Sequence, residues 1–384
     1  MLLPLGDSGM SSEQVAEPVA GGQVATGRLV SLDAFRGITI LGMLLVNNVA
    51  LDTATPKNLT HAPWNQGVNF ADMVFPWFLF IVGVAIPYAS ASARRKGIPA
   101  WRQYFKALGR CVTLVLLGCL IDSSVVKRPV FDLGVLQLIG LSYFVAALLY
   151  AASASVRLVV AAALLLSYWA LLRFVPVPGA GAGVFSESQN VVRYINDVYL
   201  RSYHLSGLVS VIPTSALVII GSAIGDLLRN GKYAPIRKSL VLMAVGVALG
   251  FVGWAWNLDL PFNKPVWTPS YILFTAGWAC AVLGALHLVI DMKGWRKWAF
   301  PLVIFGMNAI AAYVIPILAK MFILREWQWQ MPDGSMLPIQ QAYLYYLVVH
   351  TGKLAGGWLY TISYMLLWWL VILEFYRRKL FIRI

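Results

Sequence analysis

The densest run of polar chemistry in this chain is Thr60-His-Ala-Pro-Trp-Asn-Gln-Gly-Val-Asn-Phe-Ala-Asp72. Histidine titrates near neutral pH, so His61 can take up or release a proton there. Trp64 offers a ring face on which a sugar can stack, and Asn65 both donates and accepts. Asp72 begins an apolar run, where a carboxylate deep in hydrocarbon costs about 2.5–3.5 kcal/mol and therefore needs a partner or a task. Asn47 and Asn48 lie shortly before, close enough for a returning loop to bring an amide beside the imidazole, to orient it or to hold a developing oxyanion. Plainer readings stand beside these: an interfacial loop histidine, and asparagines that end a helix in water.

Two further stretches carry similar potential. Asp33 and Arg36 are three residues apart, so one helix face can hold both; they form either an anchoring charge pair or an anion site built on the planar donor fork of Arg. Phe262-Asn-Lys-Pro-Val-Trp-Thr-Pro-Ser270 sets Asn263, Lys264, Trp267 and Ser270 together, a mixture that suits a polar ligand and equally an aromatic belt. His204, His287 and His350 read as loop or helix-end residues, with His204 the reserve candidate for proton transfer. Cys111, Cys119 and Cys280 all fall in apolar runs, which gives neither a disulfide framework nor a metal site.

These groups must be positioned by elements suited to an unusual composition. The 384 residues are 59% hydrophobic and 12% charged, against about 25% charged in ordinary globular domains. Water-soluble folds are excluded, and in hydrocarbon only helices and closed barrels satisfy their own backbone. Windows of about 20 apolar residues fall near 35–51, 72–91, 104–121, 133–151, 155–174, 207–228, 238–256, 269–290, 299–320 and 355–376. The fold class expected is an all-α integral membrane protein, a bundle of about ten transmembrane helices, with an interfacial helix over 336–352 near the C-terminus. Residues 1–27, rich in Ser, Gly, Glu and Gln and lacking the basic start of a signal peptide, read as a disordered cytoplasmic tail, leaving 28–384 as one membrane domain. The net charge of +14 resides in short loops rather than on one polar face, so no nucleic-acid partner follows. Two thirds of the 30 Lys and Arg residues lie on one side of the ten-span arrangement, which places both termini in the cytoplasm and His61 outside.

The motifs also have a familiar order. Arg28-Leu-Val-Ser-Leu-Asp-Ala-Phe-Arg-Gly37, an Asn-ended helix, His61-Ala-Pro-Trp-Asn65, Ala71-Asp-Met-Val-Phe-Pro-Trp-Phe-Leu-Phe80, Gly134-Val-Leu-Gln137, Phe262-Asn-Lys-Pro-Val-Trp267, Phe305-Gly-Met-Asn308 and Tyr376-Arg-Arg-Lys-Leu-Phe-Ile-Arg-Ile384 resemble the bacterial branch of the heparan-alpha-glucosaminide N-acetyltransferase family. The resemblance runs from Arg28 to the end of the chain. It implies a multi-pass protein of the bacterial inner membrane that takes acetyl-CoA as co-substrate, without metal, and acetylates the amine of a terminal glucosamine on the other side. It also makes His61 the essential histidine and Asn47, or Asn48 one residue on, the catalytic asparagine. Arg36, Arg94, Arg95 and Lys96, with Asp33 beside the first, become candidates to hold the coenzyme A phosphates. Trp64, Asn65, Asp72, Asn263, Lys264, Trp267 and Ser270 become candidates for the acceptor. Two departures matter: the family's Asp-Pro-Glu-Gly is His204-Leu-Ser-Gly207 here, which weakens the acceptor's identity, and the usual Arg after Val-Leu-Gln is Leu138, which removes no catalytic group.

A sugar transporter and an O-acetyltransferase of envelope polysaccharide are the rival readings, and the sequence leaves a homodimer, and a ping-pong route through an acetylated His61, open. Membrane lipids, acetyl-CoA and an amino sugar are the partners implied. For the orientation, the expected outcome is that a cysteine at Thr55 reacts with an impermeant maleimide in intact cells while one added after Ile384 does not. The opposite pattern would invert the topology.

Overall fold

A computed structural model describes residues 29–382; the tail expected over 1–27 lies outside the described residues. The helices, in chain order, are α1 (Val30–Asn48), α2 (Phe70–Arg95), α3 (Ala100–Val126), α4 (Val135–Leu149), α5 (Ala154–Phe174), α6 (Val191–Ile195), α7 (Val211–Arg229), α8 (Pro235–Trp256), α9 (Pro269–Leu286), α10 (Phe300–Met307), α11 (Ala309–Ala319), α12 (Ile339–Thr351) and α13 (Lys353–Arg377). Two short hairpins, β1 (Pro176–Val177) with β2 (Gly181–Ala182) and β3 (Gln328–Gln330) with β4 (Met336–Pro338), sit in loops.

Every apolar window meets a helix, but not every one meets a simple span. Among the described residues, eight helices are long and apolar enough to cross a membrane: α1, α2, α3, α5, α7, α8, α9 with its π-helical continuation, and α13. The windows at 133–151 and 299–320 differ. α4 has 15 residues, about 22 Å at 1.5 Å per residue and short of the ~30 Å hydrocarbon core. Its window counted flanks such as Leu133, Tyr150 and Ala151 that lie outside the helix. The second window is α10 and α11, bent by 67° because Asn308 between them leaves helical dihedrals (φ −121°, ψ 40°). α12 follows the β3–β4 hairpin, packs on α13 and keeps Tyr343, Tyr345, Tyr346 and Val349 exposed, as an interfacial helix would.

Burial divides the helices into two rings. In the apolar windows of α2 and the α7 region, 78% and 72% of residues are buried, whereas α3, α5, α8 and α13 bury only 22–28%. The former, with α1 and α9, make the centre; the latter present apolar side chains such as Phe105, Leu116, Val159, Phe251 and Leu366 outward, where lipid replaces protein.

Without a hydrophobic drive between helices in lipid, close approach depends on small residues. A Cβ on Gly83 of α2 would strike the Val218 carbonyl of α7, and one on Gly221 would strike that of Phe80. α1 and α10 interlock the same way, Gly37 against Leu302 and Gly306 against the Asp33 carbonyl. The N-terminal end of α1 is fixed separately: Asp291, after α9, accepts from the Val30 and Ser31 amides at 3.1 and 3.2 Å. Arg157, which the charge pattern treats as a loop residue, is instead buried in α5, paired with Asp226, 2.5 Å from Ser222 Oγ and 4.7 Å from the Tyr150 ring.

The α1–α10 contact is backbone against backbone and cannot give way cheaply. Gly306→Ala should therefore destabilise the protein by about 1–3 kcal/mol, read as a lower thermal midpoint in detergent. Gly109→Ala, where a Cβ meets nothing within 4 Å, should be neutral or slightly stabilising. Equal midpoints for Gly306→Ala and the parent would remove the interlock.

Candidate active site at the loop from α1 to α2

α2 begins at Phe70, and Asp72 occupies its third position, where a side-chain acceptor can reach back to the residue before the helix. Asp72 Oδ2 does so, accepting from the Asn69 amide at 3.1 Å and also from the Ala62 amide at 2.9 Å. The other oxygen, Oδ1, lies 2.8 Å from His61 Nδ1. One carboxylate thus starts the helix, closes the loop and holds the imidazole. Its side chain is 3% exposed while that of His61 is 56% exposed, so the anion is desolvated and the ring remains reachable. A carboxylate beside Nδ1 favours the tautomer with the proton on that nitrogen, which leaves the Nε2 lone pair as a base.

Lys264 approaches from the loop between α8 and α9. Its Nζ is 3.6 Å from Asp72 Oδ1, 3.0 Å from His61 Nδ1 and 3.4 Å from Nε2. Burial pushes the Lys264 ammonium below its usual value, and Asp72 partly offsets this. The same loop folds on itself. Asn263 is buried, accepts from the Val266 amide at 3.0 Å and donates to Asn65 Oδ1 at 3.0 Å. Trp267 takes a left-handed backbone (φ +58°) and packs edge-on against Phe75, centroids 5.2 Å apart. Tyr271 locks α9 to α2 by donating to the Asp72 carbonyl at 2.5 Å.

His61, Asp72, Phe75, Lys264 and Trp267 line a cavity of about 450 Å³ whose opposite wall is Leu133, Gly134, Val135 and Leu138 at the start of α4. A second cavity, about 380 Å³, contains Asp33, Arg36, Arg110, Phe78, Met307 and Ile382. Arg36 Nη1 is 3.3 Å from Asp33 Oδ1 and from the Gly306 carbonyl, and Arg110 lies 4.5 Å over the Tyr143 ring. Beside them is a small apolar space of about 10 Å³. It shares Phe78, Leu136, Ile139, Ala309 and Ile310 with the Arg36 cavity, Val135 with the His61 cavity, and Met43 and Tyr313 with a third cavity lined by Asn47, Asn48 and Lys320.

The structure brings together some of the residues that the sequence singles out and disperses others. Asp72, Lys264 and Trp267 join His61. Trp64 and Asn65 turn instead to the loop after α5, where both side chains lie near the Phe185 carbonyl (3.4 and 3.5 Å). Asn263 and Ser270 serve the α8–α9 loop, Ser270 being buried with its hydroxyl on the Leu260 carbonyl at 2.7 Å. Asn47 and Asn48 are not among the residues that line the His61 cavity. They line a separate cavity of about 180 Å³ with Tyr313, Lys320 and Tyr364, where Lys320 Nζ donates to Asn48 Oδ1 at 2.8 Å. Arg94, though exposed, lines a cavity of about 530 Å³ between α2, α3 and α4, whereas Arg95, the last residue of α2, and Lys96 in the turn after it are exposed and do not line that cavity. Arg110 and Lys320 were not among the candidates. Arg110 had a legible signal, an arginine inside the apolar window 104–121, where ionisable residues usually face the bundle interior. Lys320 had none beyond closing its window. No cluster of three or more His, Cys, Asp or Glu able to hold a metal is found among the described residues.

The family model described as "Heparan-alpha-glucosaminide N-acetyltransferase, catalytic" matches residues 28–255. Two relatives carry the name heparan-alpha-glucosaminide N-acetyltransferase. The one from Homo sapiens is 27% identical over an alignment covering 93% of this chain and 60% of the relative. The one from Mus musculus is 25% identical, with 94% and 61% covered. The chain therefore spans about 60% of the length of these relatives.

Proposed function

This chain belongs to the heparan-alpha-glucosaminide N-acetyltransferase catalytic family, and from that premise we propose that it transfers acetyl from coenzyme A, across the membrane, to the amine of an amino sugar at His61. The observation that carries the proposal is that the Arg36–Arg110 cavity and the His61–Asp72 cavity border one small apolar space, the first at Phe78, Leu136 and Ile139 and the second at Val135. Coenzyme A is highly anionic and suits the end that holds two arginines, whose forks fit phosphate. Only its neutral acyl arm needs to enter the apolar space.

In this reading the acceptor enters the wide His61 cavity with Trp267 as its aromatic wall, and the donor stays on the cytoplasmic side. His61 Nε2 takes a proton as the sugar amine attacks the thioester carbon. The C–N bond forms, the carbonyl becomes an oxyanion, and the C–S bond then breaks. The proton returns from His61 to the departing thiolate, giving amide and free coenzyme A. Asp72 supports the imidazolium that forms in between, and the Lys264 ammonium is the nearest cation for the oxyanion. Direct transfer is favoured over an acetylated histidine because Asp72 orients His61 as a base and nothing in the site is needed to store the acyl group. The acceptor is an amino sugar of the glucosamine class.

Purified protein given acetyl-CoA and glucosamine should release coenzyme A thiol in step with amide formation. His61→Ala should lose at least the ~10²-fold expected of a missing general base, while coenzyme A binding stays near the parent value. Ester formation would redirect the assignment to O-acetylation, accumulation of sugar without thiol release to transport, and near-parental turnover in His61→Ala would remove the base.

The pH profile follows from Lys264. The ammonium is the useful form and its titration is displaced below the usual 10.5, so the rate should fall as pH rises, with an alkaline limb below 10.5. Lys264→Arg, charged throughout the range, should move that limb upward. An alkaline limb identical in parent and variant would take Lys264 out of the chemistry.

A further inference from the structure

The chain does not stop contributing to the bundle where α13 ends. Arg378 caps the helix through its amide on the Glu374 carbonyl (2.9 Å) and its guanidinium on the Glu374 carboxylate (2.7 Å). Lys379 then takes a left-handed backbone (φ +57°), a conformation a non-glycine residue keeps only when the surrounding structure holds it there. The next three residues supply that hold. The Leu380 amide returns to the Phe375 carbonyl at 2.9 Å, Phe381 lies 6.3 Å from the Tyr376 ring, and the Ile382 amide donates to Asn308 Oδ1 at 3.1 Å.

Asn308 is the fully buried residue at the break between α10 and α11. Two residues earlier, the Gly306 carbonyl accepts from Arg36. Phe381 and Ile382 are themselves walls of the cavity that contains Arg36 and Arg110. The segment after α13 therefore touches the arginine cavity twice, once as surface and once through the backbone bend that shapes it.

We infer that Leu380–Ile382 is a strap that completes the wall of the donor cavity, latched to the α10–α11 break by Asn308, and that it sets affinity for the coenzyme A donor. This rests on the donor reading of that cavity under the proposed function. The physical reason is dielectric and steric. With Phe381 and Ile382 in place the arginines face a partly enclosed, low-dielectric space in which attraction for phosphate is strong; without them the cavity opens to water. Occupancy by the donor should in turn tighten the strap, since the two share one surface.

The test uses the full-length protein in detergent, with unacetylated coenzyme A as the probe. A chain ended after Lys379 should bind coenzyme A roughly tenfold more weakly, the scale of one lost hydrogen bond with its packing, and the milder Phe381→Ala, which keeps the Ile382 amide on Asn308, roughly threefold more weakly from lost packing alone. The loss should appear as a raised KM for acetyl-CoA, the signature of an interaction made equally in the ground and transition states. In the parent protein, coenzyme A should slow hydrogen exchange in a peptide spanning Phe381–Ile382. Parental affinity in Phe381→Ala, together with exchange that coenzyme A does not slow, overturns the strap. Tighter binding after truncation also overturns it, because the segment would then be a plug. If the shortened chain fails to fold, Phe381→Ala and the exchange experiment decide. A parent protein that does not bind coenzyme A at all rejects the donor reading itself, a different and recognisable failure.

Discussion

The Asp72 carboxylate is the interaction on which the rest of the site depends. A desolvated anion in a membrane protein is tolerated only when its lone pairs are used, and here each is. Oδ2 accepts from Ala62 and Asn69, Oδ1 meets His61 and Lys264, and the residue's own carbonyl accepts from Tyr271. These bonds tie the first loop, the start of α2, the α8–α9 loop and α9 to one point. The imidazole is then positioned by a helix start rather than by a free loop, which is why an exposed ring can still hold one orientation. The arrangement also locates the cost of Lys264. The lysine gives up hydration for a place beside Asp72, and its lowered proton affinity is the trace of that exchange.

A second constraint shapes the other end of the path. α1 and α10 approach until Gly37 and Gly306 leave no room for a side chain, and immediately afterwards the helix breaks at Asn308. A straight helix packed this closely along its full length would close the space beside Arg36. The bend of 67° carries α11 away, and the cavity and the small apolar space lie along Met307, Ala309 and Ile310 where it does so. Broken helices at membrane depth are tolerated where they line a cavity and their freed groups find partners. At the break the Asn308 amide donates to the Phe305 carbonyl at 3.2 Å and the Asn308 carbonyl accepts from the Ala312 amide at 2.8 Å, while its side-chain Oδ1 takes the Ile382 amide.

Much of this was legible in the sequence, and the limits are physical. Apolar windows located all ten helical segments, because hydropathy averaged over 20 residues is insensitive to local dihedrals. For the same reason it could not see that α4 stops at 15 residues or that Asn308 breaks a span. The polar density of residues 60–72 pointed to His61 and Asp72, and their pairing is a local event within one loop and the first turn of α2. Lys264 was visible as a type but not as a neighbour of His61, since a contact between residues 203 apart in sequence leaves no periodic mark. Asn65, Asn263 and Ser270 show the converse. Their types suit a sugar, yet satisfying the backbone of a folded loop requires the same donors and acceptors, and that is where these groups are used. Charge counting treated Arg110 and Arg157 as loop residues because it registers only proximity to a span end, whereas Arg157 is buried with Asp226 and Arg110 faces the cavity of Arg36.

The small apolar space that borders both cavities bears on why such a protein would transfer a group rather than carry a solute. Its volume of about 10 Å³ is near the least that holds one water, and its walls, Ile40, Met43, Phe78, Leu136, Ile139 and Ile310 among them, are apolar. Moving a hydrated sugar through it would demand wide separation of α1, α2, α4 and α11, with exposure of their packed faces. Passing a slender, neutral acyl arm would demand only side-chain rearrangement around Phe78 and Ile139. The cost of desolvation would then fall on an uncharged arm, whose amides lose far less hydration than phosphates would, while in the proposed function the phosphates stay beside Arg36 and Arg110 and the sugar beside Trp267. In the proposed chemistry a narrow, apolar constriction would keep the donor's phosphates and the sugar in different surroundings while the acyl carbon reaches the amine, and this division of solvents is what the fold would have to supply.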